Sequence, residues 1–560
     1  MAVNKTVRLT FEGGQVVDCP VRTPIRDVLP TKVDASGLPY IAALIDNDIG
    51  SLSYPVELDA EIKLLTMNAP EGRQVFQRSI AFLLAKVVKE LFPQSGFSVD
   101  YAIGNGLYCS FEPVAGTRNG GITSEQVATV RERLKTLIAQ DLPIERKKIS
   151  FAEAVRRLTE AGRTDTLNLL RFRNPPRVVI HECEGFYDLA QGPVAPSTGA
   201  VPVFELIPHA PGFVLQLPEP GADNKVSDFR DLPQLFKVFR EHKDWGRSMG
   251  VGTVGRMNEL IVNGDLGDFI KIAEALHEKN VVRIADELNR RRDTTRIVLV
   301  AGPSSSGKTT FAKRLTVQLR VNGFRVSTIS LDNYFFELAK TPRDENGNPD
   351  FEHLNSLDLD LFNQHMAVLA GGGEVELPEF DFESKTRHFS GNKITLGRDD
   401  ILIIEGIHGL NPELTRMLPE AAKFRVYVSA LTQLSLDANN RIATTDNRLI
   451  RRMVRDHKFR GHSALKTLRM WSSVRRGEER WIFPFQGQAD ATFNSALDYE
   501  LAVLKPYAEP LLMEIKPFDR EYAEARRLTA FLLNFIGIAD RDVPHTSMLR
   551  EYIGRSSFKY

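Results

Sequence analysis

The sequence predicts an α/β chain of several domains: a doubly wound parallel sheet in its second half, preceded by a small β-grasp unit and a mixed α+β section. Three observations carry this. A strand-length apolar run, RIVLVAG (Arg296 to Gly302), leads into GPSSSGKTTF and then into a helix-spaced stretch from Thr309 to Gly323. Two more apolar runs, RVSTISLD and DDILIIEG, each close on or beside an acid, as strands do at the ligand-binding edge of a parallel sheet. Residues 1–67 instead alternate short strand-like runs with turns.

Within residues 1–67, TVRLTF and QVVDCP flank the turn Glu12 to Gly14 and read as a hairpin. Thr23-Pro24 predicts a helix start, with Thr as cap and Pro at the first helical position. IAALI, a turn at Asp46-Asn47-Asp48, and EIKLLTM complete an order of two strands, a helix and more strands. A second unit is expected over 68–225. There Ile80, Leu83, Leu84, Val87, Val88 and Leu91 share one helical face, and VVIHECEGFYDLAQGPVAPSTG reads as strand then glycine-rich loop. Pro and Gly thicken from Pro208 to Asp223 and predict a boundary. Residues 226–293 read as a helical linker, in which Phe269, Ile272, Leu276, Val281, Ile284 and Leu288 mark an amphipathic helix. The parallel-sheet domain is expected over 294–520 and a helical tail over 521–560.

Composition narrows the function classes. Lys plus Arg and Asp plus Glu are each 72 in 560 residues, so no overall field favours nucleic acid or membrane, and any basic site is local. Cys19, Cys109 and Cys183 form no C-x-x-C, which fits a reducing compartment and disfavours a disulfide framework or a thiolate metal site. The N-terminus has no apolar signal core, and no run of 18 apolar residues occurs. A cytoplasmic location without a membrane span is therefore expected.

GPSSSGKTT carries the chemistry. Gly302 and Gly307 let the backbone approach an anion, and Pro303, Ser304, Ser305 and Ser306 lie on the curve between them. Lys308 suits β- and γ-phosphates, Thr309 suits Mg²⁺, and Thr310 follows at the helix N-terminus. The pattern therefore calls for ATP with Mg²⁺. Asp332 and Glu405 stand at strand ends, where an acid is a solvated terminus or a ligand-facing group. From Arg448 to Arg480, eleven Lys/Arg face three acids, Asp456, Glu478 and Glu479. Such a run is a solvated helix face, a nucleic-acid patch or a cover over phosphates.

These motifs resemble a known family. Ile297 to about Leu504 is similar to uridine–cytidine kinases and their phosphoribulokinase relatives, through GPSSSGKTT, SLDNYFF, DFEHLNSLDLDLF, ELPEFDF, ILIIEGIHGL and TTDNRLIRRMVRD in family order. The resemblance implies transfer of the ATP γ-phosphate to a small-molecule hydroxyl. It makes Asp332 the base, Thr309 and Glu405 the magnesium side, and Arg448, Arg451, Arg452 and Arg455 lid arginines. Lys308, Asp332 and Arg451 are then the catalytic set, and the acceptor is expected among Asp332, Tyr334, Glu352, Phe380 and Lys385. Departures fall on the acceptor side. Glu352 replaces the Asp that holds ribose, while Phe380 and Lys385 replace the Tyr and His that hold the pyrimidine. Phe keeps a stacking face without the hydroxyl, and Lys only donates. The lid reads Arg460-Gly461-His462, without a second Arg. Uridine or another nucleoside leads as acceptor, an anionic hydroxyl compound is the alternative, and an RNA- or ribosome-associated regulator is a third reading.

The front of the chain resembles a TGS domain followed by the editing-type domain of threonyl-tRNA synthetase, through PEGRQVFQRSIAFLLAKVVKELFP and DLAQGPVAPSTG. The family's two helical His, and the Cys and His of its loop, correspond to Arg78, Phe82, Ala190 and Val194 here. Phe, Ala and Val cannot ligate zinc or orient water, so neither zinc nor editing is expected. His181 is a lone histidine better suited to a structural role. A scaffold that binds an effector, an RNA element or the kinase half is implied, and a homo-oligomer is open.

Overall fold

The computed structural model describes residues 5–113, 121–219, 221, 225–345, 347–381, 384–397 and 399–560. Of the stretches read above, the extreme N-terminus, the end of Pro208–Asp223 and Phe382 of ELPEFDF lie partly outside the described residues. The first unit is a five-stranded sheet built from β1 (Thr6–Phe11), β2 (Val16–Pro20), β3 (Ala42–Ile45), β4 (Asp48–Ser51) and β5 (Ala60–Leu65). Its order is β2-β1-β5-β3-β4, with β1 and β5 parallel. Val7, Leu9 and Phe11 alternate inward onto Ile25, Leu52 and Ile62. The helix expected after Thr23-Pro24 is only a single 3₁₀ turn, Ile25–Asp27. Thr23 Oγ1 donates to the Pro20 carbonyl (2.7 Å) instead of capping, and the Arg26 N–H pairs with the Leu52 carbonyl (2.8 Å). Backbone pairing across the unit takes the groups a helix would need.

The second unit opens with α1 (Pro70–Leu91), which begins ten residues before Ile80, the first residue of the apolar face read from the sequence, because Pro70 occupies its first turn. There follow β6 (Gly96–Ile103), β7 (Gly106–Glu112), α2 (Ser124–Ala139), β8 (Glu145–Ser150), α3 (Phe151–Glu160), α4 (Thr164–Arg173), β9 (Arg177–Cys183) and β10 (Phe186–Leu189). Thr123 and Gln126 close a reciprocal capping box on α2. The Pro/Gly-rich stretch read as a boundary is largely a hairpin: β11 (Glu205–His209) pairs with β12 (Gly212–Gln216), and both extend the β7–β6 pair into a four-stranded sheet.

Then come α5 (Pro233–Ser248), α6 (Val254–Asn263), α7 (Leu266–Arg290), β13 (Ile297–Ala301), α8 (Lys308–Val321), β14 (Arg325–Ser330) and α9 (Leu359–Ala370). The hairpin β15 (Glu374–Asp381) and β16 (Thr386–Thr395) precedes β17 (Asp400–Glu405), β18 (Lys423–Ser429), α10 (Thr444–Arg460), α11 (Ala464–Trp481), β19 (Ala491–Asn494), α12 (Glu500–Met513), α13 (Tyr522–Leu532) and α14 (Arg550–Ile553). The main sheet runs β14-β17-β13-β18-β19, every neighbouring pair parallel, as continuous apolar strands buried on both faces require. One apolar core joins this sheet to α3, α4, α6, α7, α12 and the C-terminal segment. Among the described residues, no helix is long and apolar enough to cross a membrane.

Candidate nucleotide and acceptor site

The loop between β13 and α8 stands at the carboxyl edge of the parallel sheet, where β13, β14 and β17 all end. Gly302 lies so close to the Val428 carbonyl that a Cβ would collide with it, and Gly307 adopts φ +85°. Ser305, although not glycine, holds φ +57°. The hydroxyls of Ser305 and Ser306 are buried without a hydrogen-bond partner, as suits groups awaiting a ligand oxygen. Lys308 Nζ donates to the Pro303 carbonyl (3.2 Å). Burial lowers its pKa, against the opposing charges of Glu405, Asp332 and Glu551.

Glu405 accepts from Thr309 Oγ1 (3.3 Å) and from Ser330 Oγ (3.2 Å). Burial first, then the neighbouring charge of Asp332, pushes its carboxyl up to about 7. Burial also raises Asp332, with Lys308, Arg460 and Arg455 pulling back. Two carboxyls whose ionisation is suppressed, beside a threonine hydroxyl, gain most from a divalent cation, so these residues fit Mg²⁺.

Helix α10, ended by Gly461 at φ +61°, lays its arginines on the loop. Arg448 Nε donates to the Ser304 carbonyl (2.9 Å), Arg452 Nη1 to Ser304 Oγ (2.7 Å), and Arg451 Nη1 to the Ser305 carbonyl (3.5 Å). Each also meets a carboxylate. Glu478 pairs with Arg448 and accepts the Ser304 N–H (3.1 Å), Glu500 pairs with Arg451, and Asp456 pairs with Arg452 (3.2 Å). Arg455 reaches Glu551 at 3.8 Å. Sequence reasoning counted Glu478 only as a minority acid in a basic run and did not single out Glu500 or Glu551.

Where the acceptor is expected, Glu352 is half-buried, its Oε2 is buried without a hydrogen-bond partner, and desolvation pushes its carboxyl up to about 7. Trp481 Nε1 and both ring nitrogens of His408 are buried without a well-formed hydrogen bond, though the Glu352 carbonyl approaches the His408 ring. The Trp481 ring lies 4.5 Å from that of His353 and 6.4 Å from that of His408. Sequence reasoning missed both groups, although His408 lies inside the ILIIEGIHGL motif. Two expected acceptor residues are placed otherwise. Tyr334 is fully buried in the apolar core, its hydroxyl on His365 Nδ1 (2.9 Å). Phe380 is buried in the same core beside Phe335, ring centroids 5.7 Å apart in an edge-to-face arrangement. Lys385, at φ +58°, lies over the Phe351 ring (5.5 Å), its pKa lowered by burial and then by Arg460 and Lys466.

In the second unit, Arg78 Nη1 donates to the Pro193 carbonyl (2.6 Å), and a Cβ on Gly192 would lie 2.7 Å from its guanidinium. Phe82 packs on Phe186 (5.2 Å), and Val194 is buried. Ala190 follows β10, its N–H on the Val179 carbonyl (2.9 Å). His181 Nε2 meets the Gly192 carbonyl (2.8 Å), and burial pushes its pKa down to about 4.

The parallel sheet, glycine loop and arginine-bearing helix define a P-loop kinase fold. Residues 297–502 match the sequence model of the Phosphoribulokinase / Uridine kinase family. The N-terminal region is similar to threonyl-tRNA synthetases. A Threonine--tRNA ligase of Thermotoga petrophila is 32% identical over 169 residues, 30% of this chain and 26% of that protein. One of Anoxybacillus flavithermus is 29% identical over 210 residues, 37% of this chain and 32% of that protein. The chain thus spans about a quarter to a third of the curated relatives it matches. Among solved structures, a possible uridine kinase from Bacillus stearothermophilus aligns at 21% identity and TM-score 0.28, over 39% of this chain and 98% of that one. A D-glycerate 3-kinase from Cryptococcus neoformans aligns at 17% and 0.22, over 46% and 87%.

Proposed function

We propose that this protein is an ATP-dependent kinase that transfers the γ-phosphoryl group to a hydroxyl of a small molecule. The observation that carries the reading is the placement of Arg448, Arg451 and Arg452 on the backbone and hydroxyl of Ser304 and Ser305, with Lys308 within electrostatic reach of Glu405 and Asp332. Phosphoryl transfer needs positioning and charge compensation more than covalent help, and this is such an arrangement. Asp332 would accept the proton of the attacking hydroxyl, and its raised pKa brings it nearer the range of an effective base. Thr309 and Glu405 would hold Mg²⁺, which when bound offsets the charge of the β- and γ-phosphates.

For the acceptor, the 5′-hydroxyl of uridine or of another nucleoside is the leading choice. Glu352, His408 and Trp481 offer unpartnered donors and acceptors suited to neighbouring hydroxyls. A second reading, an anionic hydroxyl acceptor, is favoured by the positive charge that Lys385, Arg460 and Lys466 concentrate at one side. The test is a screen of nucleosides, polyols and anionic hydroxyl compounds with ATP and Mg²⁺, reading ADP release. A compound that raises release above the acceptor-free background identifies the class. No stimulation across the panel, with ATP bound, would overturn the kinase reading.

A further inference from the structure

The C-terminal segment after α13 lies beyond the family-matched residues 297–502, yet it packs on the outer side of the phosphate loop. Tyr552, fully buried, donates its hydroxyl to the Ser305 carbonyl at 3.1 Å. The Arg451 guanidinium lies 5.1 Å from the centre of the same ring. Met548 covers Gly307, its Cε 2.6 Å from where a Cβ would stand. Glu551 accepts from Thr310 Oγ1 (2.6 Å), and Tyr560 meets that hydroxyl at 2.8 Å. Lys458 of α10 donates to the Ile553 carbonyl (2.7 Å), so one short segment ties the arginine helix to the first turn of α8.

The contacts of Tyr552 and Met548 fall on the two loop residues whose backbone is left-handed, Ser305 and Gly307. An L-residue adopts that region only when its surroundings over-determine it, and the Ser305 carbonyl is held from two sides, by Tyr552 and Arg451. The loop conformation that would cradle a triphosphate is therefore imposed partly from outside. We propose that residues 544–560 are a working part of the nucleotide site, with Tyr552 the positioning residue that holds Ser305 in its phosphate-binding conformation. This rests on the kinase reading.

Calorimetric titration of the full chain with adenosine 5′-(β,γ-imido)triphosphate and Mg²⁺ tests it. Tyr552→Phe removes one hydrogen bond and little else, and affinity should fall about 3- to 10-fold. Ser305→Gly removes the cost of the left-handed backbone. In a Ser305→Gly background, which has lost the serine hydroxyl as well as the left-handed cost, Tyr552→Phe should lower affinity further by less than about 2-fold, which a merely structural loss would not allow. Equal affinity of wild type and Tyr552→Phe overturns the proposal, and so does a Tyr552→Phe loss of the same size in the Ser305→Gly background. A wild-type chain that binds no nucleotide overturns the kinase reading itself, and the brace with it.

Discussion

At the residue scale, burial and charge pull Asp332 and Lys308 in opposite directions, and their mutual attraction keeps both usable. Lys308→Ala removes the charge proposed to grip the β/γ-phosphates and should lower turnover roughly 10²–10³-fold. Asp332→Asn keeps the shape of the side chain but removes the proposed base, and should cost about 10²–10⁴-fold with nucleotide binding retained. Near-wild-type turnover of Asp332→Asn at saturating acceptor would remove it from the base role. Glu352 makes a prediction about stability. Its folded pKa, about 7, lies above the ordinary 4.5, so the folded state holds its proton more tightly than the unfolded one. The stabilisation this brings is complete below about pH 4.5 and is lost as pH rises through 7. Glu352→Gln cannot ionise, so its Tm relative to wild type should climb between pH 5 and pH 8 in magnesium-free buffer. A flat difference would mean that folding leaves the Glu352 carboxyl unshifted, and a falling one that the ionised carboxylate is favoured in the fold.

At the scale of elements, what the sequence made legible was local. The strand–loop–helix around Gly302, the apolar face of α1 and the acids ending β14 and β17 each depend on residues within a turn or a strand of one another. The carboxylates on the α10 arginines were not legible, because Arg448 meets Glu478, Arg451 meets Glu500 and Arg455 meets Glu551 across long stretches of chain. Tyr334 misled because it shares a motif with Asp332, while the 3₁₀ turn Leu331–Tyr334 sends its ring into the core. Helix α11 shows the same limit. Gly477 has no turn or left-handed conformation to explain it, and its role appears only where α11 meets Glu352, whose Cβ stands where a Gly477 Cβ would go. Ala at that position suits a helix better by about 1 kcal/mol, so helicity alone predicts a harmless change. The contact predicts otherwise: Gly477→Ala should raise acceptor KM about tenfold by displacing Glu352, with KM for ATP unchanged. Unchanged acceptor KM would place the acceptor away from Glu352.

At the scale of the whole molecule, the front of the chain grips the kinase half just before α10. The Ala438 N–H donates to Asp165 (2.6 Å), Asn439 Nδ2 to Asp188 (2.6 Å), and the Val99 N–H to the Ala438 carbonyl (2.9 Å). None of this has a periodic or motif signature, so the sequence could place the units in order without placing them against each other. The junction concentrates charge although the chain as a whole is balanced. Asp437 faces Asp188, Asp165, Asn440 and the single guanidinium of Arg163, and burial with the two neighbouring acids pushes its carboxyl up to about 7. Its folded pKa is thus above the ordinary 3.8, and the stability it contributes is lost as pH rises through about 7. Arg163 offsets that loss by pairing with Asp188 (3.1 Å) and standing 3.9 Å from Asp437. Arg163→Ala should therefore lower Tm more at pH 8, where three carboxylates would confront one another, than at pH 5.5, where Asp437 carries its proton. An equal deficit at both pH values would assign the loss to packing of the long side chain rather than to charge.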